Sequence, residues 1–422
     1  MFKAVAGYYK DNERLRLLVK IIAVWLISRA VMLLMVPVMN LIADEPHQWL
    51  YYMNPWDAEW YKGIVENGYQ PPKSSGMASW AFFPLYPLVC MAVRLVTMGS
   101  IDTYAVGMTV SNICIIIAVY YAVKYADIEL DMKKYNKKTV EDIIIFLMLA
   151  GPFAVYYGAM YTEALFILCV ILCFYNSARH NYMAAGIAAA MASATRIVGC
   201  MLVFVLITYM FMETCAECRA KHNSEMKDNK EAGIIDKCML TEEAGILIAG
   251  NISLASVIRT FIKNVIKEPK KLVAIMISPL GIFIYMNYLR YFCGDSWAFY
   301  HVQRAWRTQK MFPVIGVLFK SCTGQLSAAS GVKTLNGIIL GWLCVITLML
   351  YAAMIRKKHY ALGIFGIIVL LIPLTSSVMS TLRFIMGSFV IYIGVAEIIA
   401  GCNRYVPVSY THLRAHETKA NL

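Results

Sequence analysis

Apolar residues run along this chain in long blocks divided by short polar links. A helix that crosses a bilayer needs about 20 mostly apolar residues. Ten blocks approach that length: 17–42, 103–124, 143–158, 161–176, 182–197, 198–213, 271–292, 335–355, 360–379 and 384–402. The four between 143 and 213 are short and tightly joined, so tilted, broken or partly re-entrant helices are expected there. The expected fold is all-α and integral to the membrane, a single polytopic domain over residues 1–407. Its one large polar insert is 214–270, and no repeat of fixed period appears.

The polar links set the orientation, because Lys and Arg accumulate on the cytoplasmic side. The basic N-terminal segment lies inside, so 17–42 crosses outward as a signal-anchor, with no cleavage site behind it. The next loop, 43–80, carries five acids (Asp44, Glu45, Asp57, Glu59, Glu66) against two lysines and fits the outer face. The stretch 81–98, "AFFPLYPLVCMAVRLVTM", decides the side of every later link. If it crossed, the lysine-rich loop at 124–138 would lie outside. Pro84, Pro87 and Arg94 suit a helix lying along the interface instead, and that loop then falls inside. On this path Glu163, Arg196 and Asp295 come to outer ends, and 214–270 lies inside. Its second half, "AGILIAGNISLASVIRTFIKNVIK", has apolar residues at helical spacing and suits an amphipathic helix on an anionic leaflet. One loop breaks the charge rule: 293–334 lies outside with Arg304, Arg307, Lys310, Lys320 and Lys333. An anionic ligand would account for them.

Composition narrows the class. The chain has 422 residues, 60% hydrophobic and only 15% charged, with a mean hydropathy of +0.59. A soluble domain carries about 25% charge. The net charge of +13 is therefore read as a topology signal. No dense basic face with interleaved aromatics marks a nucleic-acid binder. Seven of the twelve cysteines fall in apolar runs and behave as small hydrophobes. Cys215, Cys218 and Cys238, with His222 nearby, have ligand chemistry for zinc but lack a second close pair. The last fifteen residues, "VSYTHLRAHETKANL" (408–422), break the pattern and resemble translated sequencing-adapter read-through. They are left out of the fold reading as a non-native tail. Such a tail points to an environmental assembly, hence a bacterial plasma membrane.

The densest polar chemistry lies just after the first apolar run, in "NPWDAEWYKGIVENGYQ" (54–70). Asn54 is suited to cap a helix, Pro55 to its first position and Asn67-Gly68 to its end. Asp57 would then sit in the first turn, where an acid commonly does no more than satisfy free N–H groups and the helix dipole. Trp56, Trp60 and Tyr61 are either interfacial anchors or a sugar-stacking surface around Asp57 and Glu59. Glu163 lies close to hydrocarbon, which marks a functional candidate, or it starts a helix and pairs with Arg196. Arg196, in "ATRIVG", and Arg383, in "STLRFIMG", are cations near outer membrane ends. They are suited to a phosphate whose charge grows in a transition state. "CGDSWAFYHVQRAW" supplies Asp295, His301, Gln303, Arg304 and Trp306, with Gln303 and Trp306 placed for sugar recognition. No tight His or Asp cluster calls for a metal.

Five stretches occur in order: "WDAEWYKGIVENGY", "FFPLYPLVCMAVRL", "YTEALF", "ATRIVG" and "GDSWAFYHVQRAW". Together they resemble the GPI mannosyltransferase II (PIG-V-type) family and its bacterial relatives, over about residues 20–400. The resemblance implies a GT-C membrane glycosyltransferase fold with juxtamembrane helices in the first outer loop. It implies an active site on the non-cytoplasmic face and a polyprenyl-phosphate-linked mannose donor. It also places a catalytic carboxylate where Asp57 stands, as the base that an inverting transfer requires. Glu59 would be the reserve. The proline that often follows the family's Arg is missing after Arg383. The expected protein is thus a membrane mannosyltransferase needing no cofactor, which moves a sugar to an outer-face glycan, glycolipid or protein. The rivals are a transporter or flippase, which would want paired repeats and mid-span charges, and a non-catalytic subunit of a glycosylation complex.

Overall fold

The computed structural model describes residues 12–42, 48–72, 76–231, 253–305, 313–325, 334–375, 378 and 381–402. Among the described residues the regular elements are all helical. The order is α1 (Glu13–Ile42), α2 (Trp49–Met53), α3 (Ala58–Asn67), α4 (Leu85–Val96), α5 (Thr103–Glu129), α6 (Lys137–Leu149), α7 (Ala154–Gly158), α8 (Glu163–Ala178), α9 (Tyr182–Ser193) and α10 (Leu202–Glu231). After the undescribed stretch come α11 (Leu254–Lys267), α12 (Pro269–Ile277), α13 (Leu280–Cys293), α14 (Ala298–His301), α15 (Val314–Cys322), α16 (Thr334–Arg356), α17 (Tyr360–Leu374), α18 (Thr381–Gly387) and α19 (Val390–Cys402). The tail 408–422 and Cys238 lie outside the described residues.

Four apolar stretches are long enough to cross a membrane: Glu13–Ile42, Thr103–Glu129, Ile197–Ser224 and Leu335–Arg356. Counting each bent pair, α12 with α13 and α18 with α19, as one span raises this to six. The remaining apolar helices are 10–17 residues long, so by length alone four to six spans stand against the ten expected, four of which were expected to be short. Three expected spans are broken, and of these the 271–292 block divides at Ser278-Pro279 with a bend of 42° between α12 and α13. The 143–158 block divides at Gly151-Pro152, where proline withdraws an N–H from the ladder. Side chains of α1 bond on both sides of the break: Ser28 Oγ donates to Leu149 O, at the end of α6, at 2.5 Å, and Arg29 Nη1 to Ala154 O, at the start of α7, at 2.9 Å. The 384–402 block bends by 70° between α18 and α19, beside Phe389 at φ +54°. Conversely, α10 runs well past its expected end at 213, into the polar insert.

α8 stands at the centre, buried on nearly every side, and packs against α5, α9 and α10. A helix that is apolar all round belongs in such a position. Lipid tails are as apolar as side chains, so close packing rather than the hydrophobic effect has to hold the bundle together. α9 ("YMAAGIAAAMAS") supplies it. A Cβ at Gly186 would stand 2.8 Å from Ala274 O, and one at Gly281 only 2.3 Å from Ala190 O. Both glycines let α12 and α13 approach the backbone of α9.

α4 begins and ends at one end of the bundle. Leu85 N donates to Ala194 O at 3.0 Å and Tyr86 OH to Gly107 O at 2.9 Å. Its last turn leads through Gly99, at φ +70°, to Asp102, which caps α5 by accepting from Tyr104 N at 2.9 Å. At 12 residues α4 is shorter than the 18 residues of a candidate crossing. The cap expected at Asn54 is not made. Asn54 Oδ1 accepts from Met160 N at 2.7 Å instead. Trp56 takes a left-handed φ of +52°, and the helix starts only at Ala58.

The opposite end of the bundle is tied by basic residues. Lys271 Nζ lies 3.1 Å from Glu213 and 2.8 Å from Glu268. Lys357 is 3.1 Å from Glu397. His359, in the link between α16 and α17, has its Nδ1 2.8 Å from Glu129 and its Nε2 3.7 Å from Glu397. Burial alone would lower its pKa, but hydrogen bonds to the two glutamates outweigh this and push it up to about 9.

This packing has two measurable consequences. Gly281→Val is expected to destabilise the α9–α13 contact by about 1–3 kcal/mol, read as a lowered unfolding midpoint in detergent. An unfolded imidazole titrates near about 6.5, below the folded value. The His359 contribution is therefore complete under about pH 6.5 and is lost as the pH rises through about 9. The midpoint should fall across that window in wild type, and His359→Gln should flatten the fall.

Candidate active site

Four ionised side chains from four distant parts of the sequence meet at the end of the bundle opposite His359. Asp57 precedes α3 and its side chain caps nothing. Its Oδ2 instead accepts from Arg383 Nη1 at 2.6 Å. Arg383, on α18, turns its Nε to Glu163 Oε1 at 2.7 Å, with Nη2 at 2.7 Å from the same oxygen. Glu163, the first residue of α8, is fully buried, and its Oε1 also accepts from Arg196 Nη1 at 2.8 Å. The order is Asp57, Arg383, Glu163, Arg196, with two charges of each sign. Glu163 Oε2 is buried without a hydrogen-bond partner among the described residues. Asp57 Oδ1 has no hydrogen bond to a described side chain, and the Asp57 side chain is about a third exposed.

Aromatic rings wall this chain of charges. Arg383 lies 5.1 Å from the Tyr161 ring centroid and 5.7 Å from that of Tyr156. Arg196 lies 5.2 Å from Phe384 and 5.7 Å from Phe166. Guanidinium groups gain from such faces, more so away from water. Tyr161 also fixes the backbone that carries Asp57. Its hydroxyl donates to Pro55 O and receives the Asp57 N–H, the latter at 3.2 Å. Together with the Asn54–Met160 bond, this clamps the turn 54–57 onto the start of α8. Tyr161 and Tyr156 were not among the expected site residues. The signal for Tyr161 was its place two residues before Glu163 in "YTEALF".

The other expected residues divide into groups. Tyr61 is buried beneath Asp57, 3.4 Å from Thr162 Oγ1 and edge-on to Tyr161. Trp60 stacks on Phe82 at 5.6 Å, which ties α3 to the segment before α4. Glu59 points elsewhere and accepts from Tyr104 OH on α5. Trp56 is 74% exposed, next to Asp57 in sequence.

Asp295 and His301 form a second, separate pair, Nδ1 to Oδ2 at 2.6 Å. The His301 hydrogen bond holds the Asp295 carboxyl below its usual range, and the Trp297 N–H contributes in the same sense. This pair is carried over the 76–83 segment by an aromatic cluster, with Phe299 against Phe83 at 5.4 Å and Tyr285 OH on Trp80 O at 2.8 Å. No described contact joins it to Asp57, Glu163 or Arg383. Gln303 is half-buried in the short turn 302–305. The Arg304 side chain and Trp306 lie outside the described residues. Among the described residues no three His, Cys, Asp or Glu side chains are arranged to hold a metal ion.

A buried charge that loses its partner is costly. Glu163→Gln is expected to lower the unfolding free energy by about 3–5 kcal/mol. Adding Arg196→Gln should return part of the loss, a coupling of about 0.5–3 kcal/mol in a double-mutant cycle. Strictly additive losses would show that the two charges do not act together.

Comparison with known proteins bears on the same residues. A family model described as Mannosyltransferase (PIG-V) matches residues 13–231, just over half of the chain. The matched stretch contains Asp57, Glu163 and Arg196. Arg383 and the 294–306 segment lie beyond it. Searches of the curated proteins and of the solved structures gave no match. The family match, over the stretch that builds α1 to α10 and three of the four meeting charges, shows that this chain belongs to the mannosyltransferase (PIG-V) family.

Proposed function

We propose that this protein is a GT-C-type membrane mannosyltransferase that draws mannose from a polyprenyl-phosphate-linked donor. The acceptor is a hydroxyl of an outer-face glycan, glycolipid or protein. On this reading the chain crosses the bilayer ten times. α1, α5, α8, α9, α10, α16 and α17 each cross once; α6 with α7, α12 with α13 and α18 with α19 form the other three crossings. α2, α3 and α4 lie along the outer interface. The basic end, with Lys271, Lys357 and His359, then faces the cytoplasm, in keeping with the bias of Lys and Arg. Asp57 faces the opposite side, in a bacterial plasma membrane.

The observation that carries the proposal is the half-free carboxylate of Asp57 on the Arg383 guanidinium, which Glu163 links in turn to Arg196. The acceptor oxygen attacks the anomeric carbon of the sugar. The bond from that carbon to the phosphate oxygen breaks, and its electron pair leaves with the phosphate. Asp57 Oδ1 takes the proton of the acceptor hydroxyl, and the configuration at the anomeric carbon inverts. Two charges change in step. Asp57 becomes neutral and needs Arg383 less, while the departing phosphate becomes more negative and needs a cation more. Arg383 Nη1 is thereby released toward the leaving group, with Arg196 behind it. Glu163 stays ionised throughout and keeps both guanidinium groups in register. Trp56, exposed next to Asp57, offers a face for a sugar ring. Asp295, His301, Gln303, Arg304 and Trp306 are assigned to binding the acceptor or donor.

The test is transfer from radiolabelled polyprenyl-phosphate mannose, in membranes expressing the chain without residues 408–422. At equal protein level, Asp57→Asn should reduce transfer by about 10²–10⁴-fold, the range for loss of a general base. Undiminished transfer by Asp57→Asn would remove Asp57 from the mechanism.

A further inference from the structure

α11 has three faces, and each meets a different surrounding. Val257 and Val265 are buried, and Phe261 packs edge-on against Phe211 of α10 with ring centroids 5.7 Å apart. Asn264, next to this face, donates to Glu217 Oε2 at 2.9 Å. These contacts fix the rotation of the helix about its axis. The adjoining face then presents Leu254, Ile258, Ile262 and Ile266, spaced by four, at 52, 42, 50 and 65% exposure. The third face carries Arg259, Lys263 and Lys267, all exposed, and Lys270 follows one turn on. Residues 254–267 contain no acid, and Glu268 is held by Lys271 at 2.8 Å. Half of the apolar sector is therefore used by the protein, and the other half lies open beside a row of exposed cations.

We infer that α11 is a lipid-headgroup clamp, seated in the boundary of the cytoplasmic leaflet and selective for anionic lipid. The exposed isoleucines and Leu254 enter the acyl region. Arg259, Lys263 and Lys267 meet phosphate groups one face round. The charge pattern selects this occupant, because a row of cations bordering an apolar stripe is the arrangement that anionic membrane surfaces attract. Position agrees with it. α11 is docked at the basic end of the bundle, where Lys271, Glu213 and Tyr182 OH are joined at 3.1 and 2.7 Å. It runs within two residues into α12, whose Val273 and Met276 are exposed as on a lipid-facing helix. The clamp ties the membrane surface to α10 through Phe261 and to α9 through Lys271, Glu213 and Tyr182. This inference does not depend on the proposed chemistry, and its test does not read activity.

The experiment is amide hydrogen exchange of the full chain in nanodiscs, one copy per disc. One disc is phosphatidylcholine alone, the other phosphatidylcholine with phosphatidylglycerol. Exchange over 255–267 should slow by about tenfold or more in the anionic disc. The triple variant Arg259→Gln, Lys263→Gln, Lys267→Gln should exchange at the phosphatidylcholine rate in both discs. Exchange in α8 should be the same in all samples, which confirms that the bundle is intact. Lys263→Arg with Lys267→Arg should keep the full lipid response, since it keeps the charge. Equal exchange in the two discs for wild type would overturn the inference. So would a lipid response that survives in the triple variant. Protection that appears in phosphatidylcholine only with two copies per disc would assign the open face to a second copy instead.

Discussion

Everything at the candidate active site depends on one buried carboxylate. Glu163 is excluded from solvent, and an isolated ion in such a place is costly in any medium poorer than water. It persists because Arg196 and Arg383 reach the same oxygen. Those two guanidinium groups bring the turn after α9 and the start of α18 to the head of α8. Arg383 then has a nitrogen to spare, and it reaches Asp57. The chain of four charges is thus also a mechanical tie between residues 57 and 383, across most of the sequence.

The tie explains why the local structure before α3 looks as it does. A regular helix from Pro55 would have given the Asp57 carboxylate to its own N–H groups. The left-handed Trp56 and the clamp of Asn54 and Tyr161 prevent this. The carboxylate is turned away from the helix it precedes and toward Arg383. A carboxylate that caps a helix is quiet. One shared with a single guanidinium keeps its second oxygen free of described side chains, which is what the proposed role as base requires.

The two ends of the bundle differ in how they use charge. At the Asp57 end, the acids and cations come from α8, α18 and two loops, and aromatic rings enclose them. At the other end, His359 and Lys357 bind glutamates on α5 and α19, and Lys271 binds Glu213 on α10. Between them, small residues on α9 let helix backbones touch, as at Gly186 and Gly281. Rigid packing in the middle holds the two polar ends in fixed register.

Much of this protein is set by its sequence alone. The apolar blocks fix where helices run, because an unpaired backbone is not tolerated in lipid. The family is legible in the sequence as well, since the match over 13–231 shows it. The sequence reading could pair Glu163 with Arg196, as the structure does, but it gave Asp57 and Arg383 no partner. Asp57 read also as a helix cap, and Arg383 only as a cation near an outer membrane end. Breaks at Gly151-Pro152 and Phe389 are also collective, since they hold only where Ser28, Arg29 or a neighbouring helix satisfies what the break exposes. Periodicity and charge are local properties, so they are legible one segment at a time. An ion pair between residues 57 and 383 is a property of the packed chain, and only the tertiary structure decided it.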